Sequence, residues 1–149
     1  MENQRLINFL NQLLSNHFVL YVKLHRYHWY VQGRHFFTLH EKFEEMYTDV
    51  AEDSDEIAER ILMIEGKPLA TMSMYIKEAT LVEASADDKE SELISQLYDD
   101  LTQLNKEIRS SGLKLARELE DGPTEDLLLT IQAKTEKRCW MLRAYMAYD

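Results

Sequence analysis

Cysteine is almost absent from this chain of 149 residues, and the lone Cys139 rules out an internal disulfide and a zinc knuckle. It reads as a reduced residue at the edge of a core. Glycine and proline are scarce as well, four and two in number, so little punctuates a regular backbone. No apolar run approaches the length of a membrane span, and the opening "MENQRLINFLNQLLSNHF" lacks the uninterrupted apolar centre of a signal peptide. A cytoplasmic protein is expected. Positive charge is also short, 17 basic residues against 27 acidic, giving a net charge of -10. That balance disfavours undirected attraction to DNA phosphates or anionic membranes and favours cations.

What the chain has in quantity is helical periodicity, and its length suits a single domain spanning residues 1–149 with one core. Leu6, Leu10, Leu13, His17, Tyr21, Leu24 and His28 share one stripe of a first helix ending near Gln32 and Gly33. Thr38 followed by Glu41 predicts a capping box opening a second helix, with Phe43, Met46, Val50, Ile57 and Ile61 as its core face and "EGKP" as its stop. Residues 66–88 form a long connection with a short helix around "MSMYIKEA". A third helix carries Leu93, Leu97, Leu101, Leu104, Ile108 and Leu115 and runs to Glu120 or Asp121. After "DGPTED" a last helix reaches about Tyr148, with Pro123 in its first turn. Four long helices joined by short, long and short connections predict an all-α, ferritin-like four-helix bundle with one crossover.

Four of the five histidines crowd into "HRYHWYVQGRHFFTLHEKFEE", residues 25–45. At about 100° per residue, with His40 set to zero, Glu44 falls near 40°, Asp55 near 60° and Glu59 near 100°. They form one stripe at the edge of the apolar face, flanked by a second acidic stripe of Glu41, Glu45, Glu52 and Glu56. That second stripe is a solvated face or a mineral-nucleating wall. Along the axis Glu44 and Asp55 stand roughly 16 Å apart, at about 1.5 Å per residue. One ion cannot touch both, so His40 with Glu44 and Asp55 with Glu59 are two half-sites. An internal di-iron centre needs Glu-x-x-His motifs on other helices, and the third and fourth helices contain no histidine. Two copies of the second helix crossing antiparallel about a two-fold axis would join each half-site to its complement. His28, beside a short connection, can join the His40 end. The mixed nitrogen and oxygen set suits Fe(II), with Zn(II), Mn(II) or Co(II) as competitors.

These residues, "HWYVQGRHFFTLHEKFEEMY" followed by "DEIAER", resemble the signature of the Dps proteins, the mini-ferritins, and the likeness covers nearly the whole chain through "KRCWMLRAYM". The resemblance implies a homododecameric cage that oxidises Fe(II) with hydrogen peroxide, or more slowly with oxygen, and stores ferric mineral. Its ferroxidase centres lie at two-fold interfaces. Carried over by position, the ligands would be His28, His40 and Glu44 from one subunit and Asp55 and Glu59 from the other. Glu44 departs from the Asp found in many members; its extra methylene lets it bind directly or through water. Trp29 matches a Trp that accepts oxidising equivalents in the family, the plainer reading being a buried aromatic anchor. "DGPTED" resembles the lining of the pores that admit iron, with Asp121 and Asp126 as pore residues and Thr130 where some members extend the lining with a carboxylate.

Three histidines, His17, His25 and His35, fall outside this set, His25 as a supporting or interface residue and His35 in the interhelical turn. The family's name raises an alternative function, compaction of DNA, for which Lys-rich tails commonly supply the contacts. Only "MENQR" precedes the first helix and the chain closes "AYMAYD", so DNA binding is expected to be weak or absent at physiological salt. A bundle whose histidines bind nothing is the third reading.

Overall fold

The protein is described here by a computed structural model that places residues 2–85 and 88–147. Its elements are α1 (Gln4–Tyr30), α2 (Phe36–Met63), α3 (Met72–Glu78), α4 (Glu90–Glu107), α5 (Leu113–Glu118) and α6 (Gly122–Met146), with a π-helical turn, Ile108–Gly112, between α4 and α5. The periodic residues bury as their spacing requires: Leu6, Leu10, Leu24, Phe43, Ile57, Leu93, Leu97 and Ile108 all lie in one core, and Cys139 lies at its side. This is the ferritin-like bundle expected, with α3 inside the long connection. The end of the last helix near Tyr148 lies outside the described residues.

Two local expectations are corrected. The second helix begins at Phe36, two residues before Thr38, and its N-cap His35 makes no side-chain cap bond. The Thr38–Glu41 capping box therefore does not form. A capping box needs a carboxylate to reach back to the N-cap amide; here Glu90, the first residue of α4, takes that amide from across the fold. Glu90 also accepts from His35 Nδ1 at 3.0 Å and from the Tyr145 hydroxyl at 2.9 Å. Burial alone would raise the Glu90 carboxyl, but these donors outweigh it and hold it low. Gly33, at a φ of 151°, lies flat against the same carboxylate, where a Cβ would meet it at 2.5 Å.

The third helix is the other correction, because α4 and α5 are one rod interrupted by a π turn. The extra residue of such a turn shifts the helical register. At its end Gly112 faces Phe9, and a Cβ there would sit 2.5 Å from the ring. The rod stops at Glu118, two or three residues earlier than expected, with Glu120 at a φ of 54°.

The crossover is stitched to α1 by polar side chains that interrupt its apolar pattern. Asn3 donates to the Ile64 carbonyl at 2.8 Å, and Asn11 bonds both the Lys67 carbonyl and the Leu69 amide. Fully buried Asn16 accepts from the amides of Thr80 and Leu81 and donates to Thr80 Oγ1 and Glu107. Lys23, only 2% exposed, donates to the Val82 carbonyl and pairs with Asp100 at 2.6 Å. Non-helical backbone on a protein core must have its amides and carbonyls satisfied, and α1 supplies those partners. Phe18 and Tyr75 stack at 4.3 Å and hold α3 on the same helix.

Gly112→Ala should destabilise the protein despite the better helix propensity of alanine, by about 1–3 kcal/mol, because the Phe9 ring must be displaced within a packed core. Urea unfolding would measure it, and a stability equal to or above wild type would refute the close approach.

Candidate metal centre

The connection from α1 to α2 is only Val31–His35, so the last turn of one helix lies beside the first turns of the next. His28 and His40 meet there with their rings stacked at 3.7 Å and 12° apart. Each ring reaches the other residue's backbone: His28 Nδ1 donates to the His40 carbonyl at 2.6 Å, and His40 Nδ1 to the His28 carbonyl at 2.7 Å. With Nδ1 carrying the proton in both, each Nε2 keeps a lone pair, the arrangement a ligating histidine requires. His28 is 6% exposed, and the Phe36 ring stacks on the far side of His40 at 5.1 Å.

Glu44 lies one turn beyond His40, with Oε1 3.8 Å from His28 Nε2. Two metal–ligand bonds of about 2 Å each span such a gap, so an ion fits between them with no displacement of the chain. The extra methylene of Glu44 is thus compatible with direct ligation. Asp55 and Glu59 stand exposed on α2, one turn apart and away from the His pair. Among the described residues no three His, Cys, Asp or Glu side chains converge tightly enough to hold an ion within one chain. The structure brings together His28, His40 and Glu44 and leaves Asp55 and Glu59 as a separate pair.

Beside the half-site is a large apolar face. Trp29 is 65% exposed in the single chain, so one chain by itself does not bury it as an anchor. It borders a groove of about 270 Å³ between α1 and α3 with Val22, Tyr30, Met72 and Ile76, all exposed. Contiguous apolar surface of this kind makes the face a candidate interface.

Behind the candidate ligands lies a cluster that the sequence reading did not single out. Tyr47 stands edge-on to His28 at 5.4 Å and stacks on His25 at 3.7 Å, and His25 meets Trp29 edge-on at 5.3 Å. His25 is fixed in turn by a bond from Nδ1 to the Tyr21 carbonyl. Burial, with the charge of Glu44 beside it, raises the Tyr47 phenol, which stays protonated. Its position three residues after Glu44 and seven after His40, on one helical face, was the available signal.

The pore candidates differ in what they are free to do. Asp121 caps α6, accepting from the Thr124 amide and hydroxyl, and pairs with Arg60 at 2.9 Å. Burial would raise its carboxyl, but those bonds and the Arg60 charge hold it below the ordinary range. Asp126 is exposed on α6, as is Thr130. On α2 the exposed residues Glu41, Glu45 and Glu52 line an acidic hollow with Glu44 and Asp49; Glu56 is also exposed. His35 is taken by Glu90, as described above, and His17 is buried with Nδ1 bonded to the Leu13 carbonyl at 2.9 Å.

Comparison with known proteins agrees with this architecture. A ferritin-like domain model matches residues 7–148. The chain is 44% identical over 144 residues to DNA protection during starvation protein 2 of Bacillus anthracis, covering 97% of this chain and 98% of that one. It superposes on the crystal structure of a Dps protein from Bacillus brevis with a TM-score of 0.94 and 41% identity, covering 97% of each chain. A Dps from Vibrio cholerae O1, described as a member of a broad superfamily of ferritin-like diiron-carboxylate proteins, superposes with a TM-score of 0.93 and 39% identity over 97% of this chain and 91% of that one. The chain belongs to the Dps family of ferritin-like proteins.

Burial keeps the His17 imidazole below its ordinary value of 6.5, more than its bond to Leu13 and the nearby Asp53 can offset. The unfolded chain therefore takes up a proton that the folded chain refuses, and stability is lost as pH falls below about 6.5. Urea midpoints measured from about pH 7 to about pH 5.5 should fall less steeply for His17→Gln than for wild type; equal slopes would show that His17 does not contribute.

Proposed function

We propose that this protein is a ferroxidase mini-ferritin: a homododecamer that oxidises Fe(II) with hydrogen peroxide, and more slowly with oxygen, at centres built between two-fold-related subunits, and stores the ferric product as mineral. The observation that carries the reading is the His28–His40 pair. Both Nε2 atoms are freed by the crossed bonds to backbone, and Glu44 lies 3.8 Å from His28, while the missing carboxylates sit elsewhere on the same helix. A second copy packed antiparallel against the apolar face around Trp29 brings its Asp55 and Glu59 to this end, and the first chain returns the favour. Two identical centres result. The donor set of two imidazoles and three carboxylates suits Fe(II) and also takes Zn(II), Mn(II) or Co(II).

Each peroxide needs two electrons and each Fe(II) supplies one. Two ferrous ions held together reduce peroxide, with two protons, to two waters and leave two ferric ions. Oxidation in pairs at a protein site keeps a lone Fe(II) from cleaving peroxide to a free hydroxyl radical. The net charge of -10 and exposed carboxylates such as Asp126 raise the local concentration of cations, which favours capture. Asp121, capping a helix and paired with Arg60, contributes as part of the pore wall with less charge to offer. The acidic hollow on α2 is the surface on which ferric ions would collect.

A second reading follows from the name of the Bacillus anthracis relative, protection of DNA. Protection by removing iron and peroxide needs no contact with DNA. Direct binding is disfavoured by the acidic surface, and a gel shift at physiological salt should show no complex.

Peroxide-driven oxidation of Fe(II), followed by absorbance, should be fast in wild type and lost in both His28→Gly/His40→Gly and Asp55→Ala/Glu59→Ala. Co-assembly of the two inactive variants should restore about a quarter of the sites, since each mixed pair rebuilds one complete centre of two. Full activity in either variant would overturn the ligand assignment, and no recovery on mixing would overturn its placement between subunits.

A further inference from the structure

We propose that Glu90 is a positioning residue for the metal centre: with the backbone of Asp88, its carboxylate clamps the turn between α1 and α2, so that the His28–His40 pair is formed before an ion arrives. This rests on the ligand reading above and deepens it, because Glu90 acts on the pair only through the turn.

The crossed bonds require a free carbonyl at His28. In a helix that ran on, the amide of Gln32 would take that carbonyl, as the next rung of the ladder. The Val31 amide still donates to the Tyr27 carbonyl at 3.0 Å, but the Gln32 amide turns away and donates to the Asp88 carbonyl at 3.2 Å. It does so in a short bridge that pairs Gln32 with Lys89, just ahead of α4. The His28 carbonyl is left for His40 Nδ1, which reaches it at 2.7 Å. Asp88 is tied back to α1 in turn, its carboxylate 3.6 Å from Arg26.

Glu90 holds the other end of the same turn. Its half-buried carboxylate accepts from the His35 amide and from His35 Nδ1, and the Tyr145 hydroxyl of α6 donates to it from behind. Burial would raise this carboxyl, and the three donors outweigh that effect and keep it ionised. His35 is the N-cap of α2, so a fixed His35 amide sets where the helix begins and with it the place of His40. Gly33 is matched to the clamp: its φ of 151° suits glycine, and any Cβ would meet the Glu90 side chain at 2.5 Å. The turn is thus pinned at both ends by the start of α4, which supplies no candidate ligand itself.

The affinity of the centre for an ion scales with the fraction of time its half-site is formed. Without the clamp the turn can open and the crossed bonds break, so an ion must bear the cost of reordering them. The atoms that touch the ion stay the same.

Co(II) is the probe, titrated anaerobically into the assembled, metal-free protein and followed by its visible absorption bands. Glu90→Ala should bind Co(II) about tenfold more weakly than wild type, as for a half-site formed about a tenth of the time, with unchanged band positions at saturation. Glu90→Gln keeps an oxygen for the His35 amide and should recover part of the loss. Gly33→Ala leaves the carboxylate in the protein but forces it off the turn, and should weaken binding as Glu90→Ala does. If Glu90→Ala fails to assemble, Glu90→Gln and Gly33→Ala carry the test. Gly112→Ala, destabilised far from the turn, should bind Co(II) as wild type does and so separates positioning from general loosening. Wild-type affinity in Glu90→Ala and Gly33→Ala overturns the proposal, as does an equal loss in Gly112→Ala. Bands that shift on removal of Glu90 overturn it as well, since they would mark Glu90 as a direct ligand. His28→Gly/His40→Gly sets the frame. If it binds Co(II) as wild type does, the ligand reading falls and takes this inference with it; if it loses Co(II) while the Glu90 and Gly33 variants do not weaken binding, the inference alone falls.

Discussion

Two crossed hydrogen bonds, from each of His28 and His40 to the other's backbone carbonyl, are the constraint on which the rest of this molecule turns. They fix the tautomer of both rings, stack them, and join the end of one helix to the beginning of the next. A backbone carbonyl as acceptor has a consequence for specificity: the rings are oriented before any ion arrives, so little ordering entropy remains to be lost on binding. Such a pair tolerates little movement of the turn that joins it. That turn is held from outside by the Glu90 carboxylate, which gathers His35 from the turn and Tyr145 from α6.

A comparable division of labour governs the crossover. A helix interior is a poor place for Asn and a buried position is a poor place for Lys. Asn11, Asn16 and Lys23 nevertheless stand in α1, with Asn3 at its N-cap, because the connection that crosses the bundle takes its backbone partners from them. The Lys23 ammonium needs a counterion in turn. Asp100 supplies it, although burial pushes that carboxyl upward against the pull of Lys23. By fixing α3 and the segment around Val82 against α1, these bonds create the exposed apolar face beside Trp29. The exposed apolar face and the His28–His40 pair are therefore neighbours for one structural reason.

The excess of acid is also distributed with a purpose. On the seam between α2 and α6, Lys134 lies between Asp49 and Asp53, and Arg138 reaches Asp49 at 2.6 Å. Burial would raise the Asp49 carboxyl, yet Arg138 and Lys134 keep it low, and the ammonium of Lys134 is held charged against its own desolvation. Carboxylates on the seam are neutralised by basic residues, whereas among the described residues no Lys or Arg is paired with Glu44, Asp55 or Glu59.

Much of this was legible in the residues. Apolar spacing determined the long helices and the crossover with its short helix, because a period of 3.6 residues is a local property of the chain. The separation of Glu44 from Asp55 was equally local, since the rise of a helix keeps them apart whatever surrounds them. The Thr38–Glu41 box failed because the helix already begins at Phe36, behind an N-cap, His35, that a carboxylate 55 residues away in sequence holds. The close approach of Gly112, at the end of the π turn, to the Phe9 ring is in no reading of α4 alone. The proton positions on His28 and His40, the exposure of Trp29 and the contact of Tyr47 with the ligands were likewise decided only in three dimensions. Each is set by which backbone or ring lies across from it, and that is a property of packing between helices, not of spacing along one.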